Sequence, residues 1–215
     1  MTRLLLALLI LPLLVGGCAD NQSHTQAVVL LVDTSGTYTG EIQKAEAIAK
    51  YLLGTLQPGD SLCVARIDTG SFSEKDIIQK VTFDGRPSVL NQQKRAFMKS
   101  LDDFVTSTKS SAYTDITGGM MQAVEYLTET EAPQRTILVF SDLEEELAKG
   151  YVRDFPLQMN GCKVVALNVT KLRKDILDPR KYNNRLEEWR SRIEKGGGSF
   201  RVVNDLDRLE RMLGG

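Results

Sequence analysis

The run Ala27-Val28-Val29-Leu30-Leu31-Val32 is apolar without a break, rich in β-branched residues, and ends on a carboxylate, Asp33. It reads as a buried strand that delivers Asp33 to its C-terminal end, where ligands collect in open α/β sheets. Thr136 to Phe140 repeats the pattern and leads through Ser141 to Asp142. Along the chain such strands alternate with stretches of helical periodicity, the signature of a mostly parallel sheet with helices on both faces. The expectation is an α/β fold, doubly wound, with six strands and one antiparallel edge strand.

Ile42, Ala45, Ala49 and Leu52 recur at helical spacing, with Gly54 placed to end that helix. Asp60 to Asp68 reads as the next strand. Lys80 to Phe83 reads as a short edge strand, antiparallel to it and reached through Thr69-Gly70-Ser71. Ser88 to Thr106 forms a long helix, and the polar loop Ser107 to Ser111 then delivers Thr114. Ile116, Met120, Ala123 and Leu127 mark the following helix, in which Gly118 and Gly119 would be costly unless they permit close packing. Tyr182, Leu186, Trp189 and Ile193 form one apolar stripe closed by Gly196-Gly197-Gly198, so Trp189 belongs to the core. Ser199 to Asn204 is the last strand, and Leu206 to Leu213 a closing helix.

Of 215 residues, 27 are basic and 28 acidic, for a formal net charge of -1. That balance indicates no broad attraction to nucleic acid or acidic lipid. The single histidine, His24, precedes the first strand, so the folded part has no Ser/His/Asp triad and no Cys/His zinc cluster. Cys63 and Cys162 fall on or beside strands three places apart in the expected order. That is about 14 Å at about 4.8 Å per strand, against about 7 Å for a disulfide, so two free thiols are expected.

Three separated pieces, Asp33-Thr34-Ser35-Gly36-Thr37, Thr114-Asp115 and Ser141-Asp142, carry hydroxyls and carboxylates where apolar strands end. Singly, each Asp or Thr can be a plain helix or turn cap. Together they supply the oxygen donors that suit a hard divalent cation such as Mg²⁺. At these residues the chain resembles the von Willebrand factor A (VWA) domain with its metal-ion-dependent adhesion site, over roughly residues 27 to 213. The resemblance implies a VWA/Rossmann-like fold and a metal set of Asp33, Ser35, Thr37, Thr114 and Asp142. It implies Mg²⁺, with Mn²⁺ or Ca²⁺ as alternatives, and a protein partner whose acidic residue completes the metal's shell. Thr37 stands where that family usually has Ser, which keeps the oxygen and adds a methyl.

The acidic run Glu144-Glu145-Glu146 reads as a solvated first helical turn, or as added negative potential beside the cation. The basic stretch Lys171 to Lys181 reads as a solvated loop on the metal face, or as a second contact for an acidic partner.

Arg3 followed by the apolar run Leu4 to Val15 reads as a signal peptide, too short to span a bilayer. Leu14-Val15-Gly16-Gly17-Cys18 resembles the bacterial lipobox, which implies that residues 1–17 are removed and Cys18 is lipidated. Residues 18–26 are then a tether and 27–215 the VWA domain. A lipid-anchored place in the bacterial envelope follows, the outer membrane favoured over the inner because Ala19 is not the retaining aspartate. Any partner must approach the membrane closely.

Two other readings remain open. Asp33-Thr34-Ser35-Gly36-Thr37 also looks like the first motif of haloacid-dehalogenase-like phosphohydrolases, with Asp33 as nucleophile. Ser35 then stands where their general acid would be, and Thr114 has no role. The other is a VWA scaffold that works without metal. The adhesion reading makes the chain a binding module and not an enzyme.

Overall fold

The structure, a computed structural model, describes residues 24–36, 39–204 and 209. Its centre is a six-stranded sheet in the order β3-β2-β1-β4-β5-β6. The strands are β1 (Gln26–Asp33), β2 (Ser61–Ile67), β3 (Ile77–Thr82), β4 (Gln134–Phe140), β5 (Lys163–Leu167) and β6 (Ser199–Val203). Only the β2–β3 pair is antiparallel, as expected for the edge strand. The chain runs outward from β1 to β2, then returns to place β4 on the other side of β1. Strand order therefore reverses between β1 and β4, and the crevice above their C-terminal ends is where such sheets bind ligands.

The unbroken apolar run in β1 is explained by burial on both faces. Val28, Leu30 and Val32 face one core with α1 (Ile42–Thr55) and α2 (Pro87–Ser107), through Ala45, Ile48, Ala49, Leu52, Phe97 and Leu101. Ala27, Val29 and Leu31 face the other, built by α3 (Ile116–Glu129) and α5 (Pro179–Lys195) through Ile116, Met120, Ala123, Leu127, Trp189 and Ile193. Each fully buried Val, Leu, Ile, Phe or Met among them contributes about 1.5–3 kcal/mol, so both helical layers are anchored on the central strand.

Three local expectations change. Gly54 lies inside α1, which ends at Thr55 because the buried Leu56 turns extended while its N–H still bonds the Leu52 carbonyl. β3 begins at Ile77, three positions before Lys80. The stretch Lys171 to Lys181 is not a loop, because it holds the short helix α4 (Arg173–Leu177) and the start of α5. Cys63 and Cys162 are free and buried, on strands separated by β1 and β4. Of the closing helix only Leu209 lies among the described residues, where it is helical and buried. No helix among the described residues is long and apolar enough to cross a membrane.

Candidate metal centre

Asp33 is the last residue of β1 and 1% exposed. Its Oδ1 accepts the Ser35 N–H at 2.8 Å, and its Oδ2 accepts the Ser141 hydroxyl at 2.7 Å. That second bond ties the loop after β1 to the loop after β4. The Ser111 N–H donates to the Thr34 carbonyl at 2.8 Å, tying the first loop to the one before α3. Thr114 and Glu146 exchange N–H···O bonds of 2.8 and 3.0 Å, tying that loop to the one after β4. All three pairs of loops are thus stitched together, which brings Asp33, Ser35, Thr114 and Asp142 to one end of the sheet. Thr37 and Cys18 lie outside the described residues.

Thr114 and Asp142 are 4% and 3% exposed. Asp142 Oδ1 accepts the Glu144 N–H at 2.8 Å, and the Asp142 carbonyl accepts Arg185 Nε at 3.0 Å. Among the described residues, Thr114 Oγ1 and Asp142 Oδ2 have no hydrogen-bond partner. Burial pushes the Asp142 carboxyl up to about 6, and the charge of Asp33 adds to the rise. Burial also raises Asp33, against the opposing hydrogen bonds from Ser141 and Ser35. The Arg185 charge offsets the rise at Asp142 only in part, so two repelling buried carboxylates, neither hydrogen-bonded to a basic side chain, remain short of positive charge. A hard divalent cation would supply it, and the donor set is of the right kind: carboxylate and hydroxyl oxygens. No cluster of three or more His, Cys, Asp or Glu occurs among the described residues, so hydroxyls would have to complete any shell. The residues therefore fit the group.

Asp115 is committed elsewhere. Its carboxylate caps α3 through the Gly118 N–H at 2.8 Å and takes a two-pronged ion pair from Arg153, at 3.0 Å to Oδ1 and 2.6 Å to Oδ2. Gly118 permits this, since a Cβ there would stand 2.5 Å from the Ser71 carbonyl oxygen and 2.6 Å from Asp115 Oδ2. The expected close packing of this glycine against the neighbouring loops is therefore seen directly.

The acidic run is not a helical turn. Glu146 pairs with Thr114, Glu145 accepts the Thr117 N–H at 2.6 Å, and Glu144 contacts Lys174 and Arg185. Each glutamate is held by a different neighbour, which draws the segment extended along the top of the sheet. Two supporting residues were not singled out from sequence, Arg153 and Arg185. Arg185 is 8% exposed, sits in the apolar stripe of α5 and pairs with buried Asp175 at 2.8 Å. A charge one position from Leu186 in that stripe was the available signal.

No family model matches the chain, and no curated protein does. Solved structures do match. An aerotolerance-related membrane protein from Bacteroides fragilis NCTC 9343 superposes with a TM-score of 0.51 at 14% identity, over 87% of this chain and 96% of that one. A von Willebrand factor type A protein from Catenulispora acidiphila gives 0.50 at 12%, over 89% and 42%. The chain has a VWA-like fold. The pilus adhesin SpaC from Lactobacillus rhamnosus GG, in its open conformation, superposes with a TM-score of 0.53 at 13% identity, over 89% of this chain and 29% of that one. The chain thus spans under half of the second protein and under a third of the third.

Proposed function

We propose that this VWA-like domain is a divalent-cation-dependent protein-binding module of the bacterial envelope. Asp33, Ser35, Thr37, Thr114 and Asp142 would hold Mg²⁺, or Mn²⁺ or Ca²⁺ in its place, and no catalytic residue is assigned. The observation that carries this reading is the joining of three loops, distant in sequence, into one surface where two buried carboxylates repel each other and neither is hydrogen-bonded to a basic side chain. When bound, the cation supplies a Lewis-acidic position that an acidic residue of the partner can fill. The protein's own groups do the rest: Ser141 and the Ser35 N–H orient Asp33, the Glu144 N–H orients Asp142, and the Glu146 backbone fixes Thr114. Cys18 would anchor the chain to the membrane, facing the periplasm. Two of the structurally similar proteins, a membrane protein and a pilus adhesin, agree with an envelope binding role. The position of Thr114, buried and tied to the loop that carries Asp142, favours this reading over Asp33-centred phosphohydrolysis, which leaves Thr114 without a task.

The test is thermal unfolding of a soluble form starting at Ala19, in Mg²⁺ or Mn²⁺ against chelator. All six strands and both cores lie C-terminal to that point. Metal at 100 times its dissociation constant adds about 2.7 kcal/mol. Thr114→Ala is expected to erase most of that gain. An equal gain in parent and variant means that the cation sits elsewhere, and phosphatase assays then become the next step.

A further inference from the structure

Away from the candidate metal centre, a cavity of about 220 Å³ opens between β3 and α3, lined by Phe72, Glu74, Lys80, Gln122, Glu125, Tyr126 and Glu129 among others. Its charge is one-sided. Among the described residues that line it Lys80 is the only cation, and its ammonium is already shared between both oxygens of Glu74 at 3.3 Å and the Tyr126 ring at 6.0 Å. Glu125 and Glu129 have no ion-pair partner among the described residues. Gln122 is 8% exposed, and its Oε1 is buried without a hydrogen-bond partner among the described residues. A buried amide oxygen left unpaired is costly, of the order of 1–3 kcal/mol, and it is an acceptor that only a donor can satisfy. At the rim, Phe72 is 45% exposed and holds a φ of 91°, a left-handed conformation that a bulky residue adopts only under constraint. The fold keeps that strain while displaying an aromatic face to solvent.

Carboxylates, an amide acceptor and aromatic faces around one recess are the chemistry that recognises a cation with several N–H donors. We infer that this cavity binds the guanidinium or ammonium of a basic ligand, its charge facing Glu125 and Glu129, with the guanidinium plane or the CH₂ groups beside the ammonium lying against Phe72. Lys80 shows the preference from within, because its own ammonium already rests on the same wall. The ligand is either a basic side chain of a protein partner or a free polyamine. The site is independent of the metal reading.

The test is NMR titration of the folded chain in chelator, with acetyl-argininamide and separately with spermidine, against sodium chloride at matched ionic strength. The expected result is saturable shifts at the Gln122 side-chain amide and the Phe72 and Tyr126 rings. Saturation by acetyl-argininamide assigns a protein side chain, and saturation by spermidine alone assigns a polyamine. Glu125→Gln with Glu129→Gln, on exposed helical positions, should weaken binding at least about fivefold, the combined effect of two exposed charge pairs. Phe72→Gly is the sharper variant, since it relieves the positive φ and removes the aromatic face. It should raise the unfolding temperature while weakening the ligand, a pairing that a purely structural Phe72 would not produce. Shifts no greater than those from salt, or saturation unchanged in both variants, overturn the assignment.

Discussion

Arg153→Met tests whether the loop carrying Thr114 is held by a buried ion pair. Asp115 is 1% exposed and its partner side chain 17%. Arg153 donates to both Asp115 oxygens, at 3.0 and 2.6 Å, and to the Ser71 carbonyl at 3.1 Å. Without Arg153 the carboxylate keeps only the Gly118 N–H among these donors, which cannot compensate a charge withdrawn from water. Removing one member of a buried pair costs about 3–5 kcal/mol, and the partial exposure of Arg153 points to the lower end, about 3 kcal/mol. At about 2–4 °C per kcal/mol for a domain of this size, the melting temperature should fall by about 6–12 °C. The double variant Arg153→Met with Asp115→Asn should recover most of the loss, because Asn still accepts the Gly118 N–H as a cap and leaves no charge buried. Circular dichroism melts of the parent and both variants read this directly. A fall of less than about 2 °C in the single variant, or no recovery in the double, would refute the buried-pair argument.

Further expectations concern the same end of the sheet and the core. Gly118→Ala should destabilise by about 1–3 kcal/mol through overpacking, although the same change at an exposed helical site stabilises by up to about 1 kcal/mol; a stabilised variant in denaturant titration would contradict the close approach to Ser71. In chelator, Asp142 binds its proton more tightly in the folded chain, near pH 6, than in the unfolded chain, near 3.8. Its ionisation therefore opposes folding, and stability from this group should rise by about 1 kcal/mol as pH falls from 7 to 5. Asp142→Asn should flatten that rise, and denaturant unfolding at the two pH values decides. Cys63, whose thiol burial pushes up to about 12, and buried Cys162 should resist a thiol reagent in the native protein and react once it is unfolded. Rapid native labelling of either would place it at the surface.

The periodicities of this chain determined its architecture. An unbroken β-branched run in β1, alternation of strands with helical stripes, and the polar Lys80 edge point to a mostly parallel sheet with one antiparallel edge, because burial on one or two faces leaves a direct imprint on residue pattern; the separation of the two thiols follows from the strand order expected of such a fold. The hydroxyl and carboxylate residues of the candidate site were also legible, since oxygen donors at strand ends stand out against apolar surroundings. What only tertiary structure decided was how each polar group is partnered. Asp115 and Asp33 look alike in sequence, yet one is neutralised by Arg153, 38 residues away, and the other shares a hydroxyl proton with Ser141, 108 residues away. The run Glu144-Glu145-Glu146 has the composition of a helical turn, but contacts from Thr114, Thr117, Lys174 and Arg185 hold it extended. Such pairings depend on which loops the sheet order places side by side, and the energy of a buried charge depends on its partner more than on its neighbours along the chain.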